Sequence, residues 1–192
     1  STADKEPEAV ASEIRGEAGT KVRLTIGRGG ASKEFDVIRG IVTINPVFYR
    51  IEGDTAYTRI DSFSSGASEE FNKAIADVND HGIQNIILDL RGNTGGYVDE
   101  AVAVARKLIP PGVVTTLEYK TEQFNDIVYG SSAENPRYIV GVLVDERTAS
   151  ASEILAGALE DAGNGFLIGQ NTYGKGVFQN IFDVLTPEAY KK

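Results

Sequence analysis

Two apolar runs constrain the fold of this 192-residue chain more than any other feature of its sequence. Residues 86–90 and 138–144 consist almost entirely of aliphatic and β-branched residues, which is typical of strands buried on both faces of a parallel sheet. A loop of small and polar residues follows each run, and then a helical pattern at 98–109 and at 150–161. Strand and helix therefore alternate, and we predict an α/β fold with right-handed crossovers.

Weaker patterns extend this alternation along the chain. Ser68 is a candidate N-cap for a helix that carries Phe71, Ile75 and Val78 on one stripe at helical spacing. The remaining predicted strands and extended arms are 56–60, 113–120, 126–129, 166–168 and 177–182.

Three loops are the predicted location of any chemistry. In open α/β sheets, functional groups collect at the carboxyl ends of the strands. Loops 91–96, 145–152 and 169–176 each follow a predicted strand at that end. Asp89 and Arg91 flank the start of the first loop, and we expect them to pair and to shape it.

Residues 1–39 differ from this main body. A short helix is predicted at 7–15, a half-buried strand at 21–26 and a return strand at 34–39 after a Gly-Gly turn. A lone hairpin with one short helix buries too little surface for an independent core. This segment therefore resembles the end of a small domain.

The composition excludes several kinds of chemistry. Without cysteine, the chain has no thiolate nucleophile, disulfide framework or Cys-type zinc site. Its one histidine, His81, excludes a two-His metal site and lies at a predicted helix exit, where a solvated cap is the usual role. With 19 basic and 28 acidic residues, the net charge of −9 argues against nucleic acid or an anionic membrane as the main partner. No apolar run approaches the roughly 20 residues that span a bilayer.

Residues 169–175 match the phosphate-binding pattern G-x-x-x-x-G-K. A P-loop continues with Ser or Thr and opens a helix. Here Gly176 follows, and the next residues are β-branched and aromatic, which favours a strand. We therefore do not predict nucleotide binding, and Lys175 needs another explanation.

Ser150 is the candidate nucleophile, because it lies between a buried strand and a helix, where N–H groups and the helix dipole can stabilise an oxyanion. A serine needs a base to accept its proton. Lys175 is the best candidate, since burial disfavours the charged form of a lysine and leaves the neutral amine that can accept a proton. Gln179 is placed to hold the amine. Ser152 lies about 200° further around the helix and should face elsewhere. In a plainer interpretation, Ser150 only caps the helix and Lys175 is a solvated loop charge.

Three ordered motifs over residues 53–182 resemble those of the carboxyl-terminal processing (tail-specific) proteases, serine peptidases of the S41 family. The Ser150-to-Lys175 separation (175 − 150 = 25) and the Lys175-to-Gln179 separation (179 − 175 = 4) match the family, whereas Thr94 stands where proline is more usual. The resemblance implies a ClpP/crotonase-like core, a parallel-rich sheet with flanking helices. The motifs are L-D-L-R-G-N-T-G-G at 88–96, T-A-S-A-S-E-I-L-A-G-A-L at 148–159 and Y-G-K-G-x-x-Q at 173–179.

The same resemblance implies a mechanism. Ser150 attacks a peptide carbonyl, Lys175 takes its proton and Gln179 orients the lysine amine. The N–H groups of Gly96 and Ala151 hold the oxyanion, and the acyl-enzyme is hydrolysed without a metal, a nucleotide or another cofactor. The implied partners are protein or peptide substrates with accessible C-termini, and a homo-oligomer is left open.

The resemblance also divides the chain. The pattern A-x-x-I-R-G-E-x-G-T-x-V-x-L-T-I at 11–26 is similar to the end of a PDZ domain, so residues 1–39 are expected to be its C-terminal half and residues 40–192 a protease core truncated at its C-terminus. The family acts outside the cytoplasm, membrane-associated or secreted, although the polar N-terminus here has no signal-peptide pattern. The alternative is a non-catalytic binding protein on the same scaffold, because fold alone does not fix function.

Overall fold

The computed structural model describes residues 2, 5–41, 44–120, 124–132 and 138–179. It divides the chain into two units, Ser1–Ile44 and Asn45–Lys192.

A helix and a hairpin form the described part of the first unit. Helix α1 (Pro7–Ile14) is followed by strands β1 (Lys21–Arg28) and β2 (Ala31–Ile38), which pair antiparallel. Gly29 and Gly30 form the turn between them, and both have positive φ, which glycine adopts without steric cost. The helix and both strands predicted for this segment are present, and its assignment to a PDZ domain stays a prediction.

The second unit alternates strands and helices over most of its described length. Its strands are β3 (Val47–Glu52), β4 (Thr55–Ile60), β5 (Asn85–Asp89), β6 (Gly112–Leu117), β7 (Ile127–Ser131), β8 (Ile139–Val144) and β9 (Gly165–Gly169). Its helices are α2 (Ala67–Asp80), α3 (Val98–Leu108) and α4 (Ala151–Asp161).

Five of these strands form one sheet, in the order β3-β4-β5-β8-β9. β3 and β4 pair antiparallel, whereas β4, β5, β8 and β9 run parallel to one another. β6 and β7 pair antiparallel as a separate hairpin, where the sequence predicts extended arms. The mostly parallel sheet with its helices confirms the predicted α/β class.

The core lies on one face of the sheet. Alternate residues of β4 and β5 are buried there, as the period-2 geometry of a strand requires. They form one cluster with the apolar stripes of α2, α3 and α4. Phe71 and Val78, on the predicted stripe of α2, are fully buried. Burial on this face fixes the register of the strands and therefore the position of the loops at their ends.

The start of α2 differs from the prediction, which placed Ser68 at the N-cap. Gly66, with φ of +88°, holds that position. Glu100 of α3 accepts hydrogen bonds from the N–H groups of Gly66 (2.8 Å) and Ser68 (2.7 Å). A carboxylate from another helix thus satisfies the free N–H groups that a local cap would otherwise bind.

Two further differences concern strands. The sequence pattern misses β3, because this edge strand leaves Phe48 and Tyr49 exposed and shows no alternation. Residues 177–179 of the strand predicted at 177–182 form neither helix nor strand, and 180–182 lie outside the described residues. A strand needs a neighbouring strand, and the N–H groups of 177–179 have no partner within the described part of the chain.

None of the helices among the described residues combines the length and the hydropathy needed to cross a membrane.

Candidate active site

Three loops meet at one edge of the sheet, because β5, β8 and β9 are parallel and end there together. Backbone hydrogen bonds join the loops directly. The N–H of Ala149 donates to the carbonyl of Asn93 (3.0 Å), and the N–H of Tyr173 donates to the carbonyl of Thr148 (2.9 Å). The middle loop therefore holds the other two, and the three loops singled out from the sequence form one structure.

Asp145 and Thr148 lock the first two loops together. Asp145 Oδ1 accepts hydrogen bonds from the N–H groups of Gly92 (2.9 Å) and Thr148 (3.1 Å). The Thr148 hydroxyl donates to the carbonyl of Leu90 (2.9 Å). The Gly92 N–H and these neighbouring donors hold the pKa of Asp145 below its ordinary value, so the carboxylate stays ionised near neutral pH.

Asp89 anchors the start of the glycine-rich loop from a fully buried position. Arg91 donates to both of its oxygens (2.9 and 2.7 Å), and the Tyr57 hydroxyl donates to Oδ2 (2.6 Å). Burial by itself would raise the pKa of Asp89, but the hydrogen bonds from Arg91 and Tyr57 outweigh it and lower the pKa to about 2. The expected pairing of Asp89 and Arg91 is present.

Asn93 shapes the turn that faces Ser150. Its buried side chain donates to the carbonyl of Ile60 (2.8 Å) and accepts from the N–H of Gly95 (2.9 Å). Gly95 has φ of +98°, and a Cβ there would lie 2.7 Å from the Ala149 carbonyl oxygen and 2.8 Å from Ser150 Cβ. The backbone of the glycine turn thus packs directly against the serine, at a distance that only glycine allows.

Ser150 has an unusual backbone conformation. It is the only non-glycine residue with positive φ in the described part of the chain, with φ of 59° and ψ of −122° at the N-cap of α4. Such a conformation costs about 1–3 kcal/mol and persists only where surrounding structure enforces it. Strain of this kind concentrates at functional sites, and here it falls on the candidate nucleophile.

Four of the five predicted site residues line one cavity, and Ala151 does not. Ser150, Lys175, Gln179 and Gly96 all line a cavity of about 650 Å³. Ser150 and Lys175 are half-buried, and Gln179 is exposed. Ala151, the first residue of α4, is fully buried.

Two backbone N–H groups next to Ser150 are unused. Those of Gly96 and Ala151 have no hydrogen-bond acceptor among the described residues, whereas Gly95 donates to Asn93 and Tyr97 donates to the carbonyl of Phe63. The Ala151 N–H also lies at the positive end of the α4 dipole. Two free N–H groups beside a nucleophile can stabilise the negative charge that develops on a substrate carbonyl oxygen.

Glu153 links the serine to the lysine loop, a connection that our sequence reasoning missed. Its carboxylate accepts four hydrogen bonds, whose donors are the N–H groups of Ser150 (2.7 Å), Gly174 (2.6 Å) and Lys175 (3.0 Å) and the hydroxyl of Thr172 (2.7 Å). Burial by itself would raise the pKa of Glu153, but these bonds outweigh it and lower the pKa below its ordinary value. The Ser-x-x-Glu spacing, a capping-box pattern, was the available signal, but it indicates only the contact with Ser150.

His81 takes no part in this arrangement. It caps the C-terminus of α2, as predicted, and its Nδ1 lies 2.8 Å from the carbonyl oxygen of Asp77. α2 leads into the amino end of β5, so His81 lies at the opposite edge of the sheet from Ser150. Among the described residues, no cluster of three or more His, Asp or Glu side chains is arranged to hold a metal ion.

Comparison with known proteins matches residues 54–190 of this chain to the profile of peptidase family S41. The chain is 34% identical over 182 residues to a carboxyl-terminal-processing protease of a Synechocystis species, across 91% of this chain and 42% of that one. It is 35% identical over 175 residues to the "Probable CtpA-like serine protease" of Staphylococcus saprophyticus, across 90% of this chain and 35% of the relative.

A solved structure is similar as well. The photosystem II D1 C-terminal processing protease superposes with a TM-score of 0.65 at 29% identity, across 92% of this chain and 50% of that protein. The chain thus spans half or less of the length of each of these relatives.

Proposed function

The chain belongs to peptidase family S41, and we propose that it forms the catalytic part of a serine endopeptidase that cleaves protein substrates near their C-termini. One observation carries the proposal: Ser150, Lys175 and Gln179 line a single cavity near two backbone N–H groups that have no acceptor among the described residues.

In the proposed reaction, Lys175 accepts the hydroxyl proton of Ser150 as the serine oxygen bonds to the substrate carbonyl carbon. The C–N bond then breaks, and the lysine returns the proton to the departing amine. A water molecule hydrolyses the resulting serine ester in the reverse sequence of proton transfers. Gln179 orients the lysine amine, which must be neutral to act as the base.

The Gly96 and Ala151 N–H groups are proposed to form the oxyanion hole. They bind the carbonyl oxygen more strongly as it becomes negatively charged, which lowers the barrier rather than only increasing affinity. The strained backbone of Ser150 supports this role, because it directs the serine into the cavity that Gly96 also lines.

A binding protein on the same scaffold is the weaker alternative. It would need an apolar pocket. It would not need a strained serine, a lysine in the same cavity, or nearby N–H groups that lack an acceptor among the described residues. The combination of these three features at one site therefore favours the peptidase.

Cleavage of an unfolded protein by the full chain tests the proposal. We expect internal cuts near the C-terminus, identified by mass spectrometry, and a rate that a metal chelator leaves unchanged, because no step requires a metal. Intact substrate after prolonged incubation, or a rate lost on chelation, would contradict the proposed reaction.

Gly96→Ala is expected to displace the Gly96 N–H and to reduce kcat/KM by about 100-fold, the usual effect of losing one oxyanion donor. A Cβ at Gly96, which has φ of +143°, would lie 2.4 Å from the Phe63 carbonyl oxygen, so the backbone must move. Gly92→Ala is the matched control, since Gly92 also has positive φ but its Cβ would meet no atom within 4 Å. Equal losses of kcat/KM in the two variants would assign the effect to backbone strain alone.

Three further assignments complete the proposal. We assign residues 1–39 to the C-terminal half of a PDZ domain and residues 40–192 to the protease core. The proposed partners of the protein are protein or peptide substrates with accessible C-termini. The site of action is outside the cytoplasm, a compartment compatible with a chain that contains no cysteine.

A further inference from the structure

Ser150 lies where two cavities meet. Besides the cavity of about 650 Å³ that contains Gly96 and Gln179, a second cavity of about 540 Å³ extends along β6. The residues that line both are Val98, Leu117, Ser150, Lys175 and Phe178. The two candidate catalytic residues therefore lie at the boundary between the cavities, together with three apolar side chains.

Phe178 is the largest of these three apolar side chains. It follows Lys175 in the loop after β9 and is half-buried. Its ring packs edge-on against Tyr119, at 5.1 Å between centroids and an interplanar angle of 88°. Edge-to-face packing of this kind contributes about 0.5–1.5 kcal/mol and favours the observed orientation of the Phe178 ring.

Each cavity has both polar and apolar lining residues, but the residues that line only one of them differ. The cavity along β6 includes Thr115, Glu118 and Lys120. The other contains Ile127 and Tyr129 from β7 beside the glycine turn. An extended peptide directs successive side chains to opposite sides. Because Ser150 lines both cavities, a peptide whose carbonyl lies at Ser150 can place the residue before the cleaved bond in one cavity and the residue after it in the other.

We propose that Phe178 is a specificity-determining residue, which separates the two cavities and limits the size of the side chains accepted on either side of the cleaved bond. The proposal rests on the peptidase function proposed above. It assigns selectivity to the ring of Phe178 and the chemical step to its neighbours Ser150 and Lys175.

Phe178→Ala and Phe178→Leu in the full chain test this role against two series of unfolded peptides. One series varies the residue before the cleaved bond between alanine and phenylalanine, and the other varies the residue after it. We expect the kcat/KM ratio of the phenylalanine peptide to the alanine peptide to rise about tenfold or more in Phe178→Ala in at least one series. Phe178→Leu should give a smaller rise in this ratio, because leucine keeps part of the side-chain volume that separates the two cavities.

Phe124→Ala is the matched control. Phe124 also packs on Tyr119, at 5.2 Å between centroids, but it is exposed and lines neither cavity. We expect this variant to leave both ratios unchanged. If Phe178→Ala lowers kcat/KM equally for every peptide, the ring only positions the lysine loop and the proposal is wrong. A wild-type chain that cleaves no peptide would instead contradict the peptidase function itself.

Discussion

Ser150→Ala is expected to reduce peptide hydrolysis by a factor on the order of 10⁴ or more, without loss of the fold. The expectation follows from the proposed covalent intermediate, since removal of a serine nucleophile leaves only the contribution of substrate binding and the oxyanion hole. kcat measured on an unfolded peptide gives the loss, and the thermal midpoint of unfolding reports the fold. Ser150 is also the N-cap of α4, and loss of a capping hydroxyl costs about 1 kcal/mol, so the midpoint should fall only slightly.

Ser152→Ala is the control for this variant. Ser152 is fully buried on the same helix, and its hydroxyl has no hydrogen-bond partner in the described part of the chain. Its removal leaves no partner unsatisfied, so kcat should stay close to that of the wild type. Activity lost in Ser152→Ala and retained in Ser150→Ala would reverse the assignment of the nucleophile.

Lys175→Ala should match the loss seen in Ser150→Ala, and the double variant should be no worse than either. Residues that act in one proton transfer show this non-additivity, because removing one already disables the other. Losses that multiply in the double variant would instead indicate that Lys175 contributes only to substrate binding.

Much of the sheet was predictable because burial leaves a local signal. β5 and β8 appear in the sequence as short apolar runs with small-residue loops behind them. Because parallel strands end at the same edge of a sheet, the loops after β5, β8 and β9 are predicted to lie together there. This reasoning identifies Ser150 and Lys175 as candidate site residues, although they lie 25 positions apart in the sequence.

The detailed geometry of the site and of the elements around it was not predictable from local sequence patterns. Ser150 has its positive φ where Gly95, which is distant in sequence, packs against it. β3 carries no alternation because it is an edge strand, and the cap of α2 is supplied by Glu100 of another helix. Each of these features depends on the tertiary arrangement rather than on the residues next to it in the chain.

Glu153→Gln is expected to reduce kcat by about 100-fold and the free energy of unfolding by about 2 kcal/mol. Three backbone N–H groups and the Thr172 hydroxyl donate to this carboxylate, and hydrogen bonds to a charged acceptor contribute about 1.5–3 kcal/mol. A glutamine side chain presents one NH₂ group to these donors, so some of them lose their acceptor. The lysine loop is then no longer held against the turn of Ser150.

Glu160→Gln is the control, since Glu160 lies exposed near the end of the same helix and binds neither loop within the described part of the chain.

The pH dependence of stability separates the role of the Glu153 charge from a packing effect. The pKa of Glu153 is lowered from its ordinary value of 4.5, so its stabilisation is complete above that pH and is lost as the pH falls through the folded-state pKa. The difference in unfolding free energy between wild type and Glu153→Gln should therefore be constant near neutral pH and shrink in acid. A difference that stays constant into acid would mean that the ionised carboxylate does not hold the loops together.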